Sequence, residues 1–152
     1  MTTSMLENQM GSIALIEPHD GEIESVSIAL DGTARVQFAK LSVYLERGTE
    51  HYEIWIYRGV LEIGGAYELA LHGQPQAGFD DYVDDAVVSA DSVEVSWKEL
   101  LDRRLVTQMK LSFGSGRTID INCHDVQLVL QQSIKHVEDW AGPLVSEPQP
   151  PR

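Results

Sequence analysis

Apolar residues in this chain recur at every second position over short stretches, and glycines interrupt those stretches at close intervals. In the run Glu50 to Ile63 the even positions give Tyr52, Ile54, Ile56 and Val60, while the odd ones give His51, Glu53, Trp55 and Tyr57. Side chains alternate sides along a strand, so the pattern predicts two surfaces, one oily and one polar and aromatic. Asp31-Gly32 divides Ile23 to Leu30 from Thr33 to Leu45 and is the strongest hairpin signal, because a type I′ turn needs positive φ at both central residues. Arg47-Gly48 and Gly64-Gly65 repeat the device, so consecutive antiparallel hairpins are expected.

Past a fourth strand, Ala66 to His72, a loop carrying Pro75, Gly78 and the acidic cluster Asp80, Asp81, Asp84 and Asp85 is expected, with extended structure resuming over Ser92 to Val95. Ser96 and Glu99 stand at capping-box spacing, which predicts a short helix over Trp97 to Arg104. Leu105, Met109, Leu111 and Phe113 share a parity, as do Ile119, Ile121 and Cys123, but Val126, Leu128 and Leu130 switch to even numbers. A bulge or tight corner near His124 accounts for the switch. Ile134 to Trp140 reads as a terminal helical turn. The sum is an all-β, mainly β, domain: an antiparallel meander of about seven or eight strands, forming a barrel or a two-sheet sandwich, with one short helix.

The length of 152 residues suits one core and leaves no room for a second. Residues 13–141 are expected to form that single β domain, flanked by disordered segments at 1–12 and at 142–152, the latter holding Pro143, Pro148, Pro150 and Pro151. The lone cysteine, Cys123, excludes an internal disulfide and fits a reducing compartment. No apolar run approaches the roughly 20 residues of a membrane helix, and Met1 to Gly11 lacks the basic start and apolar stretch of a secretory signal, so a cytoplasmic location without membrane contact is expected. The net charge of −13 is lopsided: residues 1–100 hold 18 acidic and 5 basic side chains, whereas residues 101–152 hold 6 of each. Such a field repels phosphate backbones, which argues against nucleic acid and leaves basic proteins as electrostatic partners.

If Arg47-Gly48 centres a turn, Tyr44 faces His51, Lys40 faces Trp55 and Phe38 faces Tyr57; a second turn at Gly64-Gly65 sets His72 opposite Tyr57. The other face then pairs Val43 with Tyr52 and Leu41 with Ile54, an oily side on which three strands agree. The polar side predicts a contact surface of Phe38, Lys40, Tyr44, His51, Glu53, Trp55, Tyr57 and His72, including a cation-π contact of Lys40 over Trp55. His51, Glu53 and His72 offer metal-ligand chemistry, but about 20 Å of strand rise separates His51 from Tyr57, the residue expected opposite His72, so no metal is expected. The acidic loop lacks the glycine and terminal glutamate of a helix-loop-helix calcium motif. Cys123, His124 and Asp125 suggest an activated thiol, yet neighbours in a strand point apart, and Cys123 follows the parity of the core.

The chain carries none of the phosphate-cradling, zinc-hydrolase or nucleophile-elbow signatures, so a catalytic role is unsupported and no cofactor is expected. The reading these features support is a non-catalytic binding and assembly domain, homo-oligomeric through the polar aromatic face. Two alternatives stand beside it: a calycin-like barrel binding a small apolar ligand, and an acidic inhibitor or immunity-type protein for a basic partner.

Overall fold

In the computed structural model of the chain, residues 12–73, 81–102 and 105–144 are described. Among the described residues the alternating stretches become eight strands, β1 (Ile13–Ile28), β2 (Ala34–Gly48), β3 (His51–Ile63), β4 (Tyr67–His72), β5 (Asp81–Ala90), β6 (Val93–Val95), β7 (Leu105–Phe113) and β8 (Thr118–Ala141), with one helix, α1 (Glu99–Asp102). All pair antiparallel in one sheet of order β1-β2-β3-β8-β7-β5-β6, and β4 lies on β8. Glu22 opposite Tyr82 and Ile23 opposite Asp81 join β1 to β5 and close six of the strands into a ring. A closed single sheet is a barrel, and among the described residues the seam that closes it is two residue pairs wide.

The interior is filled by side chains from every strand of the ring, among them Ile16, Ile23, Val36, Phe38, Val43, Tyr57, Leu61, Val83, Leu111, Ile121 and Leu128. β7 accompanies β8 only as far as Val126, and α1, just ahead of β7 in the chain, packs against β8. Leu100 and Leu101 of the helix are buried, and Trp97 ahead of it stands edge-on to Phe38, with centroids 6.0 Å apart and planes at 83°. The Trp97 indole nitrogen donates to the Ala86 carbonyl at 3.3 Å, so the ring meets the core without stranding its one polar atom. The predicted helix forms but is shorter than expected, and Arg103 and Arg104 lie outside the described residues, as do the segments 1–11 and 145–152 of the expected disordered ends.

Three turns differ from expectation, each for a conformational reason. Asp31-Gly32 does reverse the chain, with Gly32 at φ 91° and the Asp31 carboxylate accepting from the Thr33 amide at 3.0 Å, but Asp31 stays out of the left-handed region and the turn is not type I′. Positive φ at both central residues occurs instead at Asp91 (51°) and Ser92 (65°), between the paired residues Ala90 and Val93. The β2–β3 reversal falls on Thr49 and Glu50, where Glu50 takes φ 51°, rather than on Arg47-Gly48. Tyr44 therefore meets Ile54 instead of His51, a displacement of three residues, and an odd displacement exchanges the faces of β3.

Gly64-Gly65 is not a hairpin. Gly64 donates its amide to the Asp125 carbonyl at 2.9 Å, Gly65 takes φ 65°, and the chain continues along β8, placing Tyr67 opposite Cys123 and His72 opposite Thr118. β8 turns its own corner there: Cys123 and Val126 are both buried, and its pairing with β7 shifts between them, as the parity switch at His124 predicts. The acidic set expected in a loop is partly strand, since Asp81, Asp84 and Asp85 belong to β5 and Asp80 lies outside the described residues. Ile134 to Trp140 is strand as well, the far end of β8, and not a helical turn.

Candidate functional site at the open end of the sheet

Four strands run beyond the ring. Among the described residues, Ile13 to Glu17 of β1 pair on one side only, with β2, and β8 after Val126 pairs only with β3. The result is a four-stranded extension, β1-β2-β3-β8, with one free margin on β1 and one on β8.

Along that extension β8 spends three residues for every two of β3. Leu130, Ser133, His136 and Asp139 stand opposite Gly59, Tyr57, Trp55 and Glu53, while Gln131, Ile134 and Val137 are the extra residues at three successive bulges. Directly opposed residues share a face, so the core side of the barrel continues outward as Tyr57, then Trp55 over His136, then Glu53 beside Asp139. Trp55 and His136 stack with centroids 5.2 Å apart and planes at 26°. The Trp55 indole donates to Glu53 Oε1 at 2.9 Å, Arg47 reaches the same oxygen at 3.3 Å, and His136 Nε2 lies 2.8 Å from Asp139 Oδ1.

The indole hydrogen bond, followed by the charge of Arg47, holds the Glu53 carboxyl below its ordinary value of 4.5. A carboxyl depressed in the folded state adds stability that is complete above its unfolded value and is lost as pH falls through the folded one. Glu53→Gln is accordingly expected to leave stability more nearly constant between pH 5 and pH 3 than in the parent, roughly the window where an unfolded glutamate titrates. Urea midpoints at the two pH values measure it, and parallel losses in parent and variant would refute the assignment.

The eight residues expected on one polar face are dispersed. Phe38 and Tyr57 are both 0% exposed and belong to the core: a register shift in β2 between Phe38 and Leu41 turns Phe38 inward, and the displaced β3 register does the same for Tyr57. Trp55 and Glu53 follow Tyr57 on that inward-continuing face. Tyr44 is on the outer face, in a cross-strand row with Leu15, Ile54 and Glu138, where burial first, then Glu17 and Glu138, push its hydroxyl up. Lys40 pairs with Glu22 at 3.8 Å instead of covering Trp55. His51 is exposed beside the β2–β3 turn, and His72 sits on β4, 3.2 Å from Asp120. His136 and Asp139, which complete the cluster around Trp55, come from a distant part of the chain that the hairpin logic does not reach.

A second feature lies on the ring's outer surface. Ser89, Gln108, Asn122 and Glu68 form one row across β5, β7, β8 and β4, and with Tyr67, Asp91, Ser92, Thr107, Cys123 and His124 they line an open cavity of about 440 Å³. Thr107 is 4% exposed and its hydroxyl has no hydrogen-bond partner among the described residues. Cys123 is buried with its sulfur 3.8 Å from the Thr107 carbonyl, and burial pushes its thiol up, whereas His124 is exposed, so the two do not form a nucleophile and base. Among the described residues no three His, Cys, Asp or Glu side chains gather as a metal site, and no helix is long and apolar enough to cross a membrane. No family model matches this chain, and neither a curated protein nor a solved structure matches it.

Proposed function

We propose that this chain is a non-catalytic binding and assembly domain that works as a homo-oligomer through the open end of its sheet. The observation that supports this reading is the second half of β8, a strand with one margin unpaired among the described residues and with Ile134, Val137 and Trp140 exposed at 47%, 47% and 42%. An unpaired strand margin is a template for another strand, and exposed apolar side chains along it reward being covered. The contact surface is then the margin of β8 beside the Trp55–His136 stack rather than a flat aromatic face. Sedimentation velocity from the low to the high micromolar range is expected to show a weight-average coefficient that rises with concentration. A monomer throughout overturns the proposal.

The cavity at Thr107 favours a second reading, a small-ligand binder. Its wall of hydroxyls, side-chain amides and one tyrosine, with Glu68 and Asp91 as the flanking charges and no lysine or arginine among the described residues, suits a small polar ligand that is neutral or cationic rather than an apolar one.

A further inference from the structure

The assembly reading leaves open how two copies meet, and the sequence around the middle of the free margin of β8 answers in chemical terms. A twofold contact uses the same patch on both partners, so the patch must complement itself. Here the chain reads Lys135, His136, Val137, Glu138, Asp139, with bases on one side of Val137 and acids on the other. Two such segments laid antiparallel bring each basic pair against an acidic pair. Laid parallel, they bring like charges together.

The structure also separates the charges that are already satisfied from those that are not. His136 and Asp139 lie on the inward-continuing face and bond to each other within one chain at 2.8 Å. Lys135 and Glu138 stand opposite Ile56 and Ile54, on the other face, and neither has an ion-pair partner among the described residues. Ile134, Val137 and Trp140 recur at every third residue along the same margin, so an apolar stripe runs beside the two free charges.

Resting on the assembly reading above, we infer that two copies of this chain associate through antiparallel apposition of their β8 margins about a twofold axis between His136 and Val137. Lys135 of each copy lies against Glu138 of the other, and the apolar stripes cover one another. Because the bulges at Gln131, Ile134 and Val137 break up a regular main-chain ladder, side chains set the alignment. A contact confined to one strand margin makes the association weak and concentration-dependent.

The test exchanges charges. Lys135→Glu makes both contacts acidic against acidic, and Glu138→Lys makes both basic against basic, so each variant alone is expected to self-associate with a dissociation constant about tenfold higher than the parent's. Mixed in equal amounts, the two variants form a pair in which both contacts are again opposite in sign, and association returns to about the parent level. Unchanged melting temperatures show that the exposed substitutions leave the fold intact. If the parent associates but the single variants do so equally well, the Lys135–Glu138 pairing is wrong while association through the open end of the sheet stands. If the variants weaken and the mixture does not recover, the antiparallel alignment is wrong. A parent that stays monomeric overturns both.

Discussion

Replacing Tyr57 with alanine is expected to cost the fold about 3–5 kcal/mol, the range for deleting a large buried aromatic side chain. The ring is 0% exposed and stands between Leu41 on β2 and Ser133 on β8, in the core of the barrel. No neighbour can close the space left behind without moving a paired strand. Trp55, two positions along the same face, is only partly buried and rests on His136 at the open end. Its replacement by alanine removes a larger side chain yet is expected to cost less, about 1–2 kcal/mol, because the site is already partly open to water. Denaturant midpoints at constant slope compare the two directly. A Tyr57→Ala variant within about 1 kcal/mol of the parent would mean that β3 presents its other face to the core.

Gly21→Ala is expected to be nearly as damaging, at about 2–4 kcal/mol, although it adds a single methyl group. A Cβ at Gly21 would lie 2.5 Å from the Lys40 carbonyl oxygen and 2.8 Å from that of Pro18, and both obstacles are main chain. They belong to the irregular stretch where the pairing of β1 with β2 slips between Glu17 and Glu22 and Asp20 takes φ 65°. Glu22 and Ile23, which follow directly, also form the seam with β5 among the described residues. Relief of the clash must therefore push β1 away from β2 at the point where the ring closes. Gly32→Ala is the comparison: it occupies a left-handed turn position at φ 91° with nothing near its Cβ and is expected to cost about 1 kcal/mol. Equal melting temperatures for the two variants would show that the close approach imposes no constraint.

The strands of this protein were legible in its sequence wherever apolar parity was clean, and the corner at His124 was legible because parity changed there. Their register was not. Gly48, the residue best suited to a left-handed conformation, points the β2–β3 turn to Arg47-Gly48, but the chain places Glu50 in that conformation and leaves Gly48 in the strand. β5 was hidden because Asp81, Asp84 and Asp85 are poor strand residues, and among its described side chains Val83, Ala86 and Val88 mark the side that meets the core. The far end of β8 resembled a helix for a physical reason: residues recurring at every third position are what a helical turn produces, and here three bulges produce the same spacing in an extended chain. Of the candidate surface, Trp55 and Glu53 do sit together, but their partners His136 and Asp139 reach them through the pairing of β3 with β8, a long-range contact that local pattern does not carry.

The three-for-two cadence of β8 also bears on how this strand tolerates changes in length. An ordinary strand keeps its sidedness when two residues are inserted or removed, because its side chains alternate. Past Leu130 this one advances in triplets, with Ser133, His136 and Asp139 recurring on one side. A gain or loss of three residues shifts that series by one whole step and preserves its orientation. A change of two turns the imidazole away from the indole it now covers.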